Sequence, residues 1–236
     1  MIGLVVLWSA ALGQNQGLHS PYLNETSNSL MGKLTGEIYY ITSQASSYFF
    51  LQNDWTEGSV SLKTGEVFEG IKMRYLAYGD ELIVYNDNNR MLVKTDKQKV
   101  KEFALKTGQS DQGALTVFIN LDSVANVFTN DFFEVVYRGS VMVLISNIIV
   151  AKKVVPYKNS RGELADTEYV LRRTGFILSP RNGLEKIRFS NNSVAALFPE
   201  KKHEIVKYLR KNNLRITKRN PSPAIFEMLD KEGYLN

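Results

Sequence analysis

From Glu37 onward, apolar and polar positions alternate with a period of two. Ile71, Met73 and Tyr75 alternate with Lys72 and Arg74, and Leu82 and Val84 follow the Gly79-Asp80 turn. Leu115, Val117 and Ile119 repeat the pattern, as do Phe133, Val135 and Tyr137. Strict alternation marks strands with one buried and one wet face. Turn chemistry separates these runs at Lys63-Thr64-Gly65-Glu66, Asn86-Asp87-Asn88-Asn89, Arg138-Gly139-Ser140 and Arg181-Asn182-Gly183. Short strands at regular spacing predict antiparallel meanders rather than βαβ units.

Val141 to Val150 is more continuously apolar, which predicts a central strand buried on both faces. Residues Asn159 to Asp166 read as a polar loop before a strand over Tyr169–Arg173. The period changes near Ser190. Asn191, Asn192 and Ser193 offer N-caps to a helical turn over Val194–Phe198, and Pro199 with Glu200 opens a second helix. Its stripe is Ile205, Val206 and Leu209, and Asn212-Asn213 ends it. A last amphipathic helix after Pro221 and Pro223 carries Ile225, Phe226 and Leu229. The expected fold is therefore mainly β, a β-rich α+β chain: an antiparallel meander sheet or barrel-like core with short C-terminal helices.

The N-terminus adds a compartment. Met1 to Leu12 is nearly continuous apolar sequence, and Ala11-Leu12-Gly13 has the small-x-small form of a cleavage site, although no Lys or Arg precedes the run. It is shorter than the roughly 20 apolar residues a membrane helix needs. These features predict a signal peptide over 1–13 and an exported protein of the periplasm or extracellular space. A polar segment follows, so 14–36 reads as a flexible linker, 37–190 as the antiparallel β domain and 191–236 as a helical C-terminal cap. The sequons at Asn24 and Asn191 carry no weight.

Composition narrows the chemistry. The 236 residues are 44% hydrophobic, enough for a real core, and contain no cysteine. That removes thiol nucleophiles, thiolate zinc sites and disulfides together. Only His19 and His203 are available as imidazoles, and neither has a neighbour at metal spacing. A Ser-His-Asp hydrolase would need one of them, and no G-x-S-x-G elbow is present. Phosphate-binding glycine loops are missing as well, and Asn86-Asp87-Asn88-Asn89 lacks calcium-loop spacing. Carboxylates are the remaining acid–base groups: Asp80 beside Glu81, and Asp54 with Glu57 around Trp55. Adjacent strand residues point to opposite faces, so Asp80 and Glu81 make a poor pair and read as solvated turn and edge residues. Net charge is +5, with Lys201, Lys202, Lys207, Arg210, Lys211, Arg215, Lys218 and Arg219 crowded into the helical end and Arg172-Arg173 and Lys152-Lys153 adding to it. Such a face reads first as solvated, and export argues against a nucleic-acid partner.

The segment Trp55-x-x-Gly58-x-Val60-x-Leu62-x-x-Gly65-x-x-Phe68-x-Gly70, then Tyr75, Asp80-Glu81-Leu82 and Val100-x-x-Phe103, resembles a group of uncharacterised exported proteins of Bacteroidetes-type bacteria. The tail, with Leu197-Phe198, Glu204-Ile205-Val206-Lys207-Tyr208-Leu209 and Asn212-Asn213-Leu214, is similar to the helical end of those proteins. The resemblance implies a periplasmic or surface setting and carries over no active site.

Function is legible only by class. The leading expectation is a non-enzymatic cell-envelope interaction or structural module, with Tyr39, Tyr40, Tyr48, Phe49 and Phe50 as its contact face. The alternatives are a small-ligand or glycan-binding protein and a carboxylate-based hydrolase. No catalytic residue, metal ligand or cofactor is assigned, ligand-binding residues are not identified, and partners are an envelope protein or a small ligand.

Overall fold

Eleven strands form one sheet in the computed structural model, which describes residues 34–41, 47–87, 90–107, 114–123, 130–158, 161–162, 164–217 and 221–236. The expected signal peptide, most of the linker, His19, Asn24, Asn88, Asn89, Lys218 and Arg219 lie outside the described residues. The strands are β1 (Gly36–Ile38), β2 (Thr56–Leu62), β3 (Val67–Leu76), β4 (Glu81–Asn86), β5 (Met91–Thr95) and β6 (Val100–Thr107). They continue as β7 (Ala114–Asn120), β8 (Phe132–Arg138), β9 (Met142–Lys158), β10 (Leu164–Ser179) and β11 (Gly183–Ile187). Their spatial order is β1-β5-β4-β3-β2-β6-β7-β8-β9-β10-β11, antiparallel throughout. Two meanders thus join where β2 pairs with β6. The sheet is open. β1 already begins at Gly36 and Leu34 is buried, so ordered packing reaches into the segment read as linker. The polar loop is shorter than expected, because β10 starts at Leu164.

The sheet curls on its inner face until the Ile149 N–H donates to the Ala77 carbonyl at 3.0 Å, bringing β9 against the end of β3. Inside this curl Tyr75, Phe103, Phe118 and Phe132 are almost fully buried. Phe103 and Phe118 stack at 4.8 Å between centroids, and Phe132 meets Phe103 edge-on at 4.9 Å. Truncating any of these rings would cost about 3–5 kcal/mol.

Further along the same face, three helices replace the curl as cover: α1 (Asn191–Ala195), α2 (Lys202–Lys211) and α3 (Pro223–Lys231). Ser190, not one of the three residues after it, caps α1: its Oγ accepts from the Ser193 N–H. Ile205 and Leu209 of α2 and Phe226 and Leu229 of α3 pack with Val143, Ile145, Ile177 and Ile187 of the sheet. Asn213 adopts φ 53°, a left-handed stop for α2. A bulge at Val136 turns Tyr137 toward this side, where its hydroxyl donates to Asp230 Oδ2 at 2.5 Å. The Ser140 N–H donates to the same oxygen at 2.9 Å, tying α3 to the β8–β9 turn.

β9 is buried on both faces over 143–147, with Val143 and Ile145 beneath the helices and Leu144 on the outer face with Ile119, Phe133 and Leu178, but Ile148, inside the run expected to be buried on both faces, is exposed. The alternation in β7 reads differently from expectation. Phe118, between the positions taken as the core face, fills the curl, while Leu115 is 61% exposed and Val117 and Ile119 face outward. Both faces of that strand carry apolar residues, so periodicity alone does not choose between them.

Candidate functional site

Between the aromatic curl and the helix-covered end, the inner face carries polar side chains on three neighbouring strands. Asn147 of β9 and Arg173 of β10 are directly opposed in register, and Glu134 lies on β8 opposite Ile145, two residues before Asn147 on the same face. They close a ring. Asn147 Nδ2 donates to Glu134 Oε2 at 2.7 Å, Arg173 Nε to Asn147 Oδ1 at 3.1 Å, and Arg173 Nη2 to both Glu134 oxygens at 3.2 Å. Each member holds the other two in position, which is how polar groups on an inward strand face are satisfied. Arg173 Nη1 has no partner among the described residues, so its two N–H donors remain for a ligand.

The ring floors a cleft of about 560 Å³. Asp54, Trp55, Thr56, Lys106, Leu171 and the ring residues contribute to its walls. Its ionised groups balance: Asp54 and Glu134 against Lys106 and Arg173. Thr56 Oγ1 is buried there without a partner among the described residues.

One wall is the segment 49–55, clamped on the outer face by Arg74. Its guanidinium lies 3.7 Å from the Phe50 ring centroid and 5.8 Å from Trp55, and Nη2 donates to the Gln52 carbonyl at 3.1 Å. Burial lowers the Arg74 pKa, with the nearby Asp54 charge acting against that. The Leu51 N–H adds a bond to the Tyr75 carbonyl at 3.0 Å. Below the cleft, Tyr169 and Leu171 share a face of β10 with Arg173. Tyr169 meets Phe49 edge-on at 4.7 Å and Tyr78 at 5.8 Å.

A second polar node sits at the end of the curl. Asp80 occupies a left-handed turn conformation, φ 54°, which directs its side chain inward until it is only 14% exposed. It accepts from the Tyr75 hydroxyl, from Lys97 Nζ and from the Phe132 N–H at 3.1 Å. Burial raises its pKa against the pull of those donors, and burial beside Asp80 raises Tyr75. The expectation that Asp80 is a solvated turn residue is therefore corrected: the αL backbone, which Asp tolerates, aims the carboxylate into the sheet. Glu81 instead pairs with Lys94 at 3.3 Å, beside Glu37, at the rim of a shallow hollow.

Of the other candidates from sequence, Asp54 reaches the cleft while Glu57 lies on the outer face, 3.9 Å from Lys106. His203 stands exposed on α2. The five aromatics of the expected contact face separate. Tyr40 and Tyr48 are 74% and 73% exposed, Tyr39 and Phe49 pack against a small outer cluster, and Phe50 is buried in it. Among the described residues no three His, Asp or Glu side chains are grouped to hold a metal ion, and no helix is long and apolar enough to cross a membrane. Glu134 and Asn147 had no part in the reading from sequence, and Arg173 entered it only as charge. The signal for Asn147 was its interruption of the apolar run Val141–Val150, since an amide there requires partners.

The chain matches no protein-family model, no curated protein and no solved structure.

Proposed function

We propose that this chain is an exported, non-catalytic binding protein whose cleft over Glu134, Asn147 and Arg173 takes a neutral polyhydroxylated ligand, a saccharide. The observation that carries the reading is the charge-balanced ring with free Arg173 donors and Trp55 beside it. Planar amide, carboxylate and guanidinium groups pair with sugar hydroxyls, and an indole supplies a face for the apolar side of a ring. Balanced charge disfavours strongly ionic ligands. Both Glu134 oxygens already accept bonds from Arg173 and Asn147, which supports positioning rather than proton transfer.

The test uses Trp55 fluorescence of the chain from Gln14 onward, where it is the sole indole because the other Trp, Trp8, lies within the proposed signal peptide. Saturable change with a neutral oligosaccharide, lost in Arg173→Met, is the expected result. Silence across a panel of neutral sugars sinks the reading, and release of reducing ends that stops in Asp54→Asn replaces it with the hydrolase. Export rests on Met1–Gly13. Fractionation of cells followed by N-terminal sequencing is expected to give a mature chain beginning near Gln14, and an intact Met1 recovered from the cytosol rejects it.

Exposure of Tyr40, Ile41 and Tyr48 favours a second reading, in which that edge docks an envelope protein. Crosslinking in cells with Tyr40→Ala/Tyr48→Ala as the control tests it. A partner captured equally well by the variant removes this edge from consideration.

A further inference from the structure

The helical cap carries a feature that the cleft does not use. Two hollows of about 640 and 650 Å³ lie side by side on it and share Asn192, Val206 and Arg210, so they form one trough across α2. Asn191 builds the first wall by bonding the Leu214 carbonyl at 2.9 Å and the Ile216 N–H at 2.8 Å, which pins the segment after α2 back along the helix. That places Arg215 across from Arg210, and Lys202, Lys207 and Lys211 continue the line.

No Asp or Glu lines either hollow, and none of these five cations has an ion pair among the described residues. Elsewhere ion pairs are frequent: Lys63, Lys94, Lys97, Arg138, Arg173 and Lys231 each have a carboxylate within 3.3 Å. Without the five trough residues, the remaining 24 basic residues equal the 24 acidic ones. A solvated helix face needs no such segregation, because intrahelical acid–base pairs keep it soluble equally well.

We infer that the trough is a second binding site, for an acidic polysaccharide bearing carboxylate or sulfate groups. Several spaced cations fit repeated anions along a chain better than a single phosphate. The amides of Asn192 and Asn213 stand between them to meet hydroxyls. No Phe, Tyr or Trp ring stands exposed along the trough to stack a nucleobase, His203 being its one exposed ring, and its concave shape is unsuited to a flat membrane. The site is separate from the neutral cleft: the two share no lining residue.

The test is calorimetry of the full chain with heparin and with polygalacturonate, at low and at physiological salt. Binding is expected to weaken with salt, and Lys207→Gln/Arg210→Gln to weaken it further by roughly tenfold or more, as lost charged contacts do. All four substituted positions, these two and Arg172→Gln/Lys186→Gln, are exposed, so thermal unfolding should be unchanged in both double variants. The second pair removes equal charge elsewhere and is expected to retain affinity. No binding to either polymer, an equal loss in both double variants, or tighter binding of duplex DNA or poly-glutamate overturns the inference.

Discussion

The Tyr75 hydroxyl and the Asp80 carboxylate meet inside the sheet although the turn between β3 and β4 separates them by five residues. Tyr75 contributes its ring to the aromatic interior, 5.0 Å from Phe118, and its hydroxyl also lies 3.5 Å from the Asn147 carbonyl. The pair therefore joins the end of the curl to the strand that floors the cleft. Asp80 holds Lys97 and the Phe132 N–H at the same point.

Removing the carboxylate should expose this dependence. Asp80→Ala leaves Lys97 with only the more distant Asp131, 3.7 Å away, and a backbone donor unpaired, and is expected to cost about 2–3 kcal/mol in urea unfolding. Tyr75→Phe keeps the ring and loses one bond, at about 1 kcal/mol. Asp80→Gly separates side chain from backbone, because glycine prefers φ 54° more than aspartate does. A Gly variant more stable than the parent would show that the turn, not the carboxylate, governs this corner.

Two carboxylates should respond to acid in opposite directions. Asp80 is raised above the ordinary 3.8, chiefly by burial, so its contribution is full below that pH and is lost as pH rises through its folded value. For Asp230, burial pushes upward, but the bonds from Ser140 and Tyr137 outweigh it and hold the carboxyl below 3.8. Its contribution is present above 3.8 and is lost as pH falls through the depressed value. The advantage of the parent over Asp230→Asn in melting temperature is expected to shrink on acidification below about pH 4. Its advantage over Asp80→Asn is expected to shrink on going upward from there. Parallel shifts of both differences with pH would contradict these assignments.

Arg74 acts on the cleft from behind. Its contacts with Phe50 and the Gln52 carbonyl fix the wall that presents Asp54 and Trp55. Arg74→Met is expected to retain most of the stack on Phe50 and to lose the bond, at about 1–2 kcal/mol. Hydrogen exchange should rise locally over 49–55, and ligand affinity should fall with it. Unchanged exchange in that segment would mean that the Leu51–Tyr75 backbone bond suffices to hold the wall.

Alternation made the strands legible, and β3 shows why: Ile71, Met73 and Tyr75 are buried while Lys72 is exposed. The helical stripes were legible for the same reason, with Ile205, Leu209, Ile225, Phe226 and Leu229 all buried. The sheet's order was not, because pairing β2 with β6 and β3's end with Ile149 depends on curl, which single strands do not encode. The site was hidden for a related reason. Glu134, Asn147 and Arg173 lie far apart in sequence, and only the registers of β8, β9 and β10 bring them together. Asp80 was misread because its burial follows from a left-handed backbone, whereas a Gly-Asp pair in a turn ordinarily faces water.

Gly175 offers the sharpest test of how the cap seats on the sheet. It lies on the inner face of β10, two residues beyond Arg173 and directly opposite Ile145 and Ile187. A Cβ there would come within 2.6 Å of Cε2 and 2.8 Å of Cζ of Phe189. The ring occupies the space that any other residue would fill, and it packs there with Val194, Leu209 and Ile216. Gly175→Ala must therefore displace an almost buried ring, at about 1–3 kcal/mol. Because Phe189 also lines the basic trough, the variant is expected to perturb chemical shifts in α1 and in 214–217 more than those of the neutral cleft. Shortening the ring in Gly175→Ala/Phe189→Leu should return part of the loss. If the double variant is no more stable than Gly175→Ala alone, the strand's own conformation, rather than contact with Phe189, requires the glycine.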